Sequence, residues 1–418
     1  MKGRPDMKTS ILAAMTLAAG GAFAADPATI DWSKIPATSV TLFYPGQSSY
    51  EWLRDDHKKG KGAKASQSGQ ACVRCHEDEE KTLGASIVKG GPLEPTPVKG
   101  KPGSVELKVQ AAYDARNAYL RFQWRTAADR AGTNYPSYRF DGKEWKVHGY
   151  PKLDQVVQEG KQPGIYEDRL SLMLDDGKVP EFGRQGCWLT CHDGSRDMPK
   201  TASKDEAQAA IKKDDVRKYL PASRSNPADW RTVKSAAELE KIKAAGGFTD
   251  LMQWRAHRSN PVGGADDGYV LEFRNFDAGK NHFASNLDPK TKQPRFMFDP
   301  AKKGPFLVKG ENAVPFDPKA GWKPGDMLPR YYLQPGDVTG SAADNKATGS
   351  WKNGEWTVVL VRPLGLANGD DKALKEGGVY NVGFAVHDDN ITTRGHFVSF
   401  VRTLGLGAEA SIRAVKLP

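Results

Sequence analysis

Cysteine is scarce in this chain: four residues in 418, at positions 72, 75, 187 and 191. That leaves room for two disulfides at most, one four-ligand metal site, or two paired attachment motifs. Apolar runs of membrane-spanning length are missing after the N-terminal segment, which excludes a bundle of transmembrane helices. Basic residues form no stripe interleaved with aromatics, so nothing points to nucleic acid. No internal repeat is found beyond the cysteine pairs. Histidine is also sparse, with eight residues, and that gives weight to where two of them fall.

Each cysteine pair is followed at once by histidine. Cys72-Val-Arg-Cys75-His76 is a C-x-x-C-H, and Cys187-Trp-Leu-Thr-Cys191-His192 is a C-x-x-x-C-H. Haem c carries two vinyl groups that a pair of thiols about one helical turn apart can bond as thioethers. The histidine that follows then lies beside the iron and supplies an axial nitrogen. A zinc ribbon would bring its two halves much closer in sequence. Two local disulfides would leave both histidines unexplained. The reading is two haem c groups, held by Cys72, Cys75, Cys187 and Cys191, with His76 and His192 as proximal ligands. The extra spacer of the second motif calls for a local bulge.

The N-terminus has the form of an export signal. Lys2, Arg4 and Lys8 precede an apolar run from Ile11 to Ala19, and Ala22-Phe23-Ala24 is a small-residue cleavage site. Met7 is an alternative start. The expected mature chain begins at Ala25, in a bacterial periplasm, with no transmembrane segment left after cleavage. Loss of residues 1–24 removes three basic residues and one acidic residue, so the formal charge falls from +10 to +8. A basic surface of this kind suits an acidic redox partner.

The remaining chain reads as mainly β. Residues 25–102 are expected to form a small N-terminal haem c module, ending in a Gly-, Pro- and Lys-rich linker. Residues 103–418 are expected to form a β-sandwich haem-binding domain. Alternation of apolar and polar residues marks strands at Val105–Val109, Leu120–Trp124 and Leu170–Leu174, with a turn between Asp114 and Asn117. Further strands are expected over Tyr269–Arg274, Trp356–Val361, Tyr380–His387 and His396–Val401. A helical insertion over about residues 178–262 would carry the second motif. Ser203-Lys-Asp-Glu206 and Ser235-Ala-Ala-Glu238 are capping boxes that open helices. A third short helix is expected from Thr249 or Asp250 through His257.

The sixth ligands are open at this level. For the first haem His57 is preferred, fifteen residues before Cys72 across a flexible Gly/Lys/Ser segment. For the second, His257 is the first choice, within Trp254-Arg-Ala-His-Arg258. Met173, Met198, His387 and His396 are alternatives, with Met173 on the strand face opposite Leu170, Leu172 and Leu174. His148 and His282 carry little weight.

Several stretches are similar to a known family. Glu167-Asp-Arg-Leu-Ser-Leu-Met173, Gly186-Cys-Trp-Leu-Thr-Cys-His192, Trp254-Arg-Ala-His-Arg-Ser-Asn-Pro261, Asp266-Asp-Gly-Tyr-Val270 and Gly383-Phe-Ala-Val-His387 resemble the haem-binding domain of the ethylbenzene dehydrogenase and dimethylsulfide dehydrogenase gamma subunits. The dihaem c-type cytochromes related to ethylbenzene dehydrogenase look closer still. The resemblance implies a sandwich fold and electron transfer. Gamma subunits of that group bind a b-type haem through methionine and lysine and serve a molybdenum catalytic subunit. This chain departs from them in its covalent attachment motifs, and Met173 stands where their methionine is expected.

The leading functional expectation is a periplasmic dihaem cytochrome that carries single electrons between periplasmic or membrane-bound redox proteins. Two rivals come from other classes. One is a haem enzyme, a peroxidase or small-molecule reductase, with an open iron position and acid–base groups beside it. The other is the electron-transfer subunit of a molybdoenzyme.

Overall fold

The computed structural model describes residues 26–46, 70–91, 94, 97–126, 132–151, 155–191, 202–216, 218–227, 229–366, 368–388 and 395–418. The export signal, His57, His192 and Met198 lie outside the described residues. Among the described residues, no helix is long and apolar enough to cross a membrane.

The protein is mainly β, built on one 13-stranded sheet folded over on itself. One half runs Lys346–Lys352, Glu355–Pro363, Asn117–Arg125, Ser104–Tyr113. The other runs Val379–His387, Arg169–Asp175, Thr249–Arg255, Gly268–Val270, Arg274–Phe276. Two bridges join the halves. Thr38–Phe43 pairs with Ser104–Tyr113 and touches His396–Val398, where Phe43 faces Val398. Ile412–Lys416 pairs in parallel with both Ser104–Tyr113 and Arg402–Leu406. The sheet thus closes a circuit around its core through these bridges, while Lys346–Lys352 and Arg274–Phe276 end the strand order as edges.

The core lies between the two halves. Leu170, Leu172 and Leu174 point into it, beside Phe122 and Phe384, whose rings lie 5.7 Å apart. Trp124, Trp254 and Trp356 fill one end, with Trp124 and Trp254 edge-to-face at 5.9 Å. Aromatic packing of this kind adds about 0.5–1.5 kcal/mol per pair beyond area burial.

Both capping boxes form. Ser203 and Glu206 open the helix Lys204–Ile211, and Ser235 and Glu238 open Ala236–Ala244. The Asp114 turn forms too: its carboxylate accepts from the Arg116 and Asn117 amides at 2.7 and 2.8 Å. The third expected helix does not form. Thr249–Arg255 is a strand of the main sheet, and every residue in it is buried. A strand covered on both faces loses its polar alternation, so its pattern no longer separates it from a buried helix. The helical insertion accordingly stops at Thr249 rather than near residue 262. Tyr269–Arg274 is likewise two short strands, Gly268–Val270 and Arg274–Phe276, paired as a hairpin. The expected strand over His396–Val401 is shorter, ending at Val398.

The N-terminal segment is woven into the sandwich. Thr38–Phe43, within the segment expected as a separate N-terminal module, is a sheet strand whose inward residues Val40 and Leu42 are fully buried. The helix Glu80–Ile87 lies against the same strands. A Cβ placed on its Gly84 would sit 1.9 Å from the Gly103 carbonyl oxygen, so backbone meets backbone there with no room for a side chain.

Candidate functional site

The first motif occupies a single α-turn. The helix Val73–His76 follows Cys72, whose carbonyl accepts from the Cys75 and His76 amides at 3.2 and 3.1 Å. Cys72 is partly covered and burial pushes its thiol up to about 11, whereas Cys75 is exposed. His76 directs Nδ1 at the Glu79 carboxylate, 2.7 Å away. A ligating histidine commonly donates its second nitrogen to a carboxylate, which fixes the tautomer and leaves Nε2 for the metal. The motif thus has the partner that axial ligation asks for.

The second motif is wound differently. Gly186, at φ +57°, ends the short helix Phe182–Gln185, and a 3₁₀ turn runs over Gly186–Thr190 into Cys191. Cys187 and Cys191 are thus joined by a 3₁₀ turn rather than the single α-turn of the first motif. Thr190 Oγ1 donates to the Cys187 carbonyl at 2.9 Å, and Lys218 Nζ lies 3.4 Å from Cys191 Sγ. Cys187 is buried, and desolvation pushes its thiol up to about 12. Gly383 makes that burial feasible, since a Cβ there would stand 2.7 Å from Cys187 Sγ.

The two motifs meet. The Cys72 amide donates to the Arg184 carbonyl at 3.3 Å, in the helix that leads into Cys187. Trp188, between the second pair of cysteines, packs with Phe43 and Phe400 at ring separations of 5.3 and 5.4 Å. Cys72, Val73 and Leu83 pack against this same cluster. Phe400 in turn stacks on the His76 ring at 6.4 Å.

A cavity of about 310 Å³ opens beside Cys187. Met173, Arg169, Arg274, His387 and His396 face it. Met173 and Cys187 also share one apolar cluster, on the face of the Arg169–Asp175 strand opposite its leucines. His387 and His396 stand opposite each other on their hairpin with rings stacked at 4.8 Å. Arg169 Nη2 lies 2.8 Å from His387 Nε2, so that nitrogen accepts from the guanidinium.

The cavity wall is under-neutralised. Arg255 holds Asp266 through two bonds of 2.6 and 2.7 Å. Among the described residues neither Arg169 nor Arg274 forms an ion pair; Arg274 donates to the Gln253 side chain, and Arg169 Nε is buried without a hydrogen-bond partner. Burial lowers Arg169 to about 10; burial and the neighbouring guanidiniums lower Arg274 to about 9. An anionic ligand would relieve this arrangement. A haem c, with two thioether points and two carboxylates, fits the donor set: Cys187 and Cys191 would anchor it, and Arg169 and Arg274 would meet its carboxylates. No periodicity in the sequence marks either arginine, and Trp188 is distinguished only by lying inside the motif.

His257, the first choice for the second iron, does not face this cavity. Its ring lies among Tyr135 and Phe306, with Nδ1 donating to the Thr133 carbonyl at 3.0 Å. Its expected helix is absent, and with it the face that would have aimed the ring at the second motif. Its amide donates to Glu167 Oε2 at 2.8 Å, as does that of Arg258 at 2.9 Å. Burial lowers the His257 pKa, so the folded protein keeps this ring neutral below the ordinary value of 6.5. Burial alone would push Glu167 up, but Arg258 and Arg255 overcome it and hold the carboxyl below 4.5. Both groups therefore give stability that is full near neutrality and lost on acidification, His257 as pH falls through its unfolded value. The melting temperature is expected to fall between pH 7 and about 5.5, and His257→Gln is expected to flatten that fall. Calorimetry at the two pH values checks this, and an unchanged slope in the variant would remove His257 from the account.

The comparisons with known proteins agree with this picture. The sequence profile of the ethylbenzene dehydrogenase family matches residues 29–399. A cytochrome c-552 from Stutzerimonas stutzeri is 29% identical over 98% of both chains. A cytochrome c-551 from Rhodocyclus tenuis is 28% identical over 61% of this chain and 91% of its own.

Proposed function

We propose that this chain, which belongs to the ethylbenzene dehydrogenase family, is a cytochrome exported to the periplasm that carries single electrons through two covalent haems. One observation carries the reading: the two Cys-His motifs are joined by the Cys72–Arg184 hydrogen bond and by one aromatic cluster. Haem c at each motif supplies a one-electron iron couple.

The chain's own residues do the rest. Trp188, Phe43 and Phe400 fill the space between the motifs with packed side chains, which excludes water there and keeps the separation short. Glu79 orients His76. A cytochrome relative matched over nearly the full length supports the electron-transfer role, and the formal charge of +8 expected after loss of residues 1–24 supports an acidic redox partner.

We assign the sixth ligand of the second haem to Met173, the methionine that shares both the cavity and the apolar cluster with Cys187. Axial methionine raises a haem potential. Met173→Leu is therefore expected to abolish the sulfur charge-transfer band of the oxidised protein. It should also lower one of two potentials on the order of 0.1 V, within the roughly 0.8 V that axial ligation spans. Spectroelectrochemical titration reads both. Unchanged bands and potentials would hand the role to His396. The same titration tests the function, since two reversible one-electron steps are expected and a single step would count against it.

The Arg169–His387 contact favours a second reading, a haem enzyme, because a guanidinium and an imidazole beside an iron are the equipment of acid–base chemistry. Binding of cyanide or carbon monoxide at one iron would support it.

A further inference from the structure

At the edge of the second half-sheet, far along the chain from any cysteine, six aspartates converge from four segments. Asp250 lies on the Thr249–Arg255 strand. Asp267 immediately precedes the Gly268–Val270 strand, and Asp277 immediately follows Arg274–Phe276. Asp344 precedes Lys346–Lys352, and Asp370 and Asp371 lie in the loop after Glu355–Pro363. Carboxylate oxygens of Asp277, Asp370 and Asp371 lie within 4.8 Å of one another, and so do those of Asp250, Asp267 and Asp371.

Their charges are not balanced by protein. Arg362 Nη2 pairs with Asp250 and lies 3.6 Å from Asp371. Lys372 turns its ammonium away to Asp176 at 2.6 Å. One guanidinium thus serves six carboxylates.

A second observation is independent of the charge count. Asp277 is only 5% exposed, yet neither of its carboxylate oxygens has a hydrogen-bond partner. Asp371, 8% exposed, has no donor within good hydrogen-bond geometry at either oxygen; Arg362 stands 3.6 Å off and the Asn368 side chain lies beside it. Asp370 is anchored from behind, accepting from Ala278 N at 3.2 Å and Ser341 Oγ at 3.0 Å. Asp267 is likewise held, by the Gly268 amide and the Asn345 side chain. Anchored carboxylates thus stand within 4.8 Å of two whose oxygens lack hydrogen-bond partners of good geometry, with Arg362 the nearest cation, 3.6 Å from Asp371. Burying such groups without a counter-charge costs several kcal/mol each.

We propose that Asp277, Asp370 and Asp371 bind a calcium ion, with Asp371 shared toward Asp250 and Asp267. The donor set is all oxygen and carboxylate-rich, without nitrogen or sulfur, which suits a hard cation. Calcium takes six to eight such ligands in flexible geometry, whereas magnesium demands a near-ideal octahedron and keeps several waters. The site ties the loop after Glu355–Pro363 to the edge hairpin, so the ion is a structural clamp and takes no part in electron transfer.

The test uses the haem-loaded full-length protein after chelator treatment. Added calcium chloride is expected to bind at about one ion per chain by calorimetry, to saturate at or below about 1 mM, and to raise the melting temperature by several degrees. Magnesium chloride at equal concentration should do markedly less. Asp277→Asn and Asp371→Asn should each lose the calcium response while keeping the haem absorption spectrum that reports folding. No calcium uptake by the wild-type protein, or uptake unchanged in both variants, would overturn the site. So would wild-type stability that is indifferent to calcium while Asp277→Asn is the more stable chain, since the carboxyls would then be held neutral by protons.

Discussion

Cys187→Ser combined with Cys191→Ser is expected to leave one covalent haem per chain of the two proposed for the parent. A pyridine haemochrome assay against protein concentration measures this directly, and mass spectrometry of the denatured chain confirms it. The first motif should keep its haem, because its cysteines and His76 lie on a separate turn with their own partner in Glu79. Stability should fall as well. Without its ligand the variant would retain a cavity of about 310 Å³ faced by two guanidiniums that form no ion pair among the described residues. Holes and unpaired buried charges are among the few causes of losses above about 4 kcal/mol. Two haems retained in the double variant would show that the C-x-x-x-C-H spacing is not an attachment site.

The largest loss of stability from a single change is expected at Glu167. This carboxylate is fully buried and accepts from the His257 amide, the Arg258 amide and the Arg258 guanidinium. Arg258 is itself buried beneath Tyr135, Phe283 and Tyr331. Glu167→Ala would leave that cation without its counter-ion and two amides without an acceptor. Removing one partner of a buried pair costs about 3–5 kcal/mol. Glu167→Gln, which keeps an acceptor oxygen for the amides, should cost distinctly less. Urea denaturation of the three proteins, with unchanged slopes, would rank them. A loss below about 1 kcal/mol for the alanine variant would mean that Arg258 finds another partner.

What the sequence could disclose follows from burial. Strands that keep one polar face, such as Ser104–Tyr113 and Asn117–Arg125, announce themselves by alternation. Capping boxes at Ser203 and Ser235 are local chemistry and were legible as such. The Thr249–Arg255 strand was not, because both of its faces are covered, and the helix expected there had placed His257 toward the second motif, whose cavity it does not line. Thr38–Phe43 reads as a Pro- and Ser-flanked lead-in, yet it completes one of the two bridges between the sheet halves. Its pairing partners lie more than sixty residues away, beyond the reach of any local pattern. The cysteine motifs were fully legible, since attachment needs its residues contiguous. The cavity arginines and the aspartate cluster were not, since each gathers single residues from distant loops.

The burial of Cys187 has a bearing on how the protein is made. A thiolate is the reactive form of cysteine, and a thiol pushed up to about 12 is almost wholly protonated at neutral pH. Gly383 stands against that sulfur, and Phe182 belongs to the same apolar cluster. On the proposed reading, the folded chain is therefore a poor acceptor, and bond formation at the second motif belongs to the nascent, unfolded polypeptide. At the first motif the constraint is weaker, since Cys72 is only partly covered, with its thiol pushed up to about 11, and Cys75 is exposed. Loading the second cofactor becomes a checkpoint in biogenesis: chains that fold before receiving it are committed to remaining incomplete.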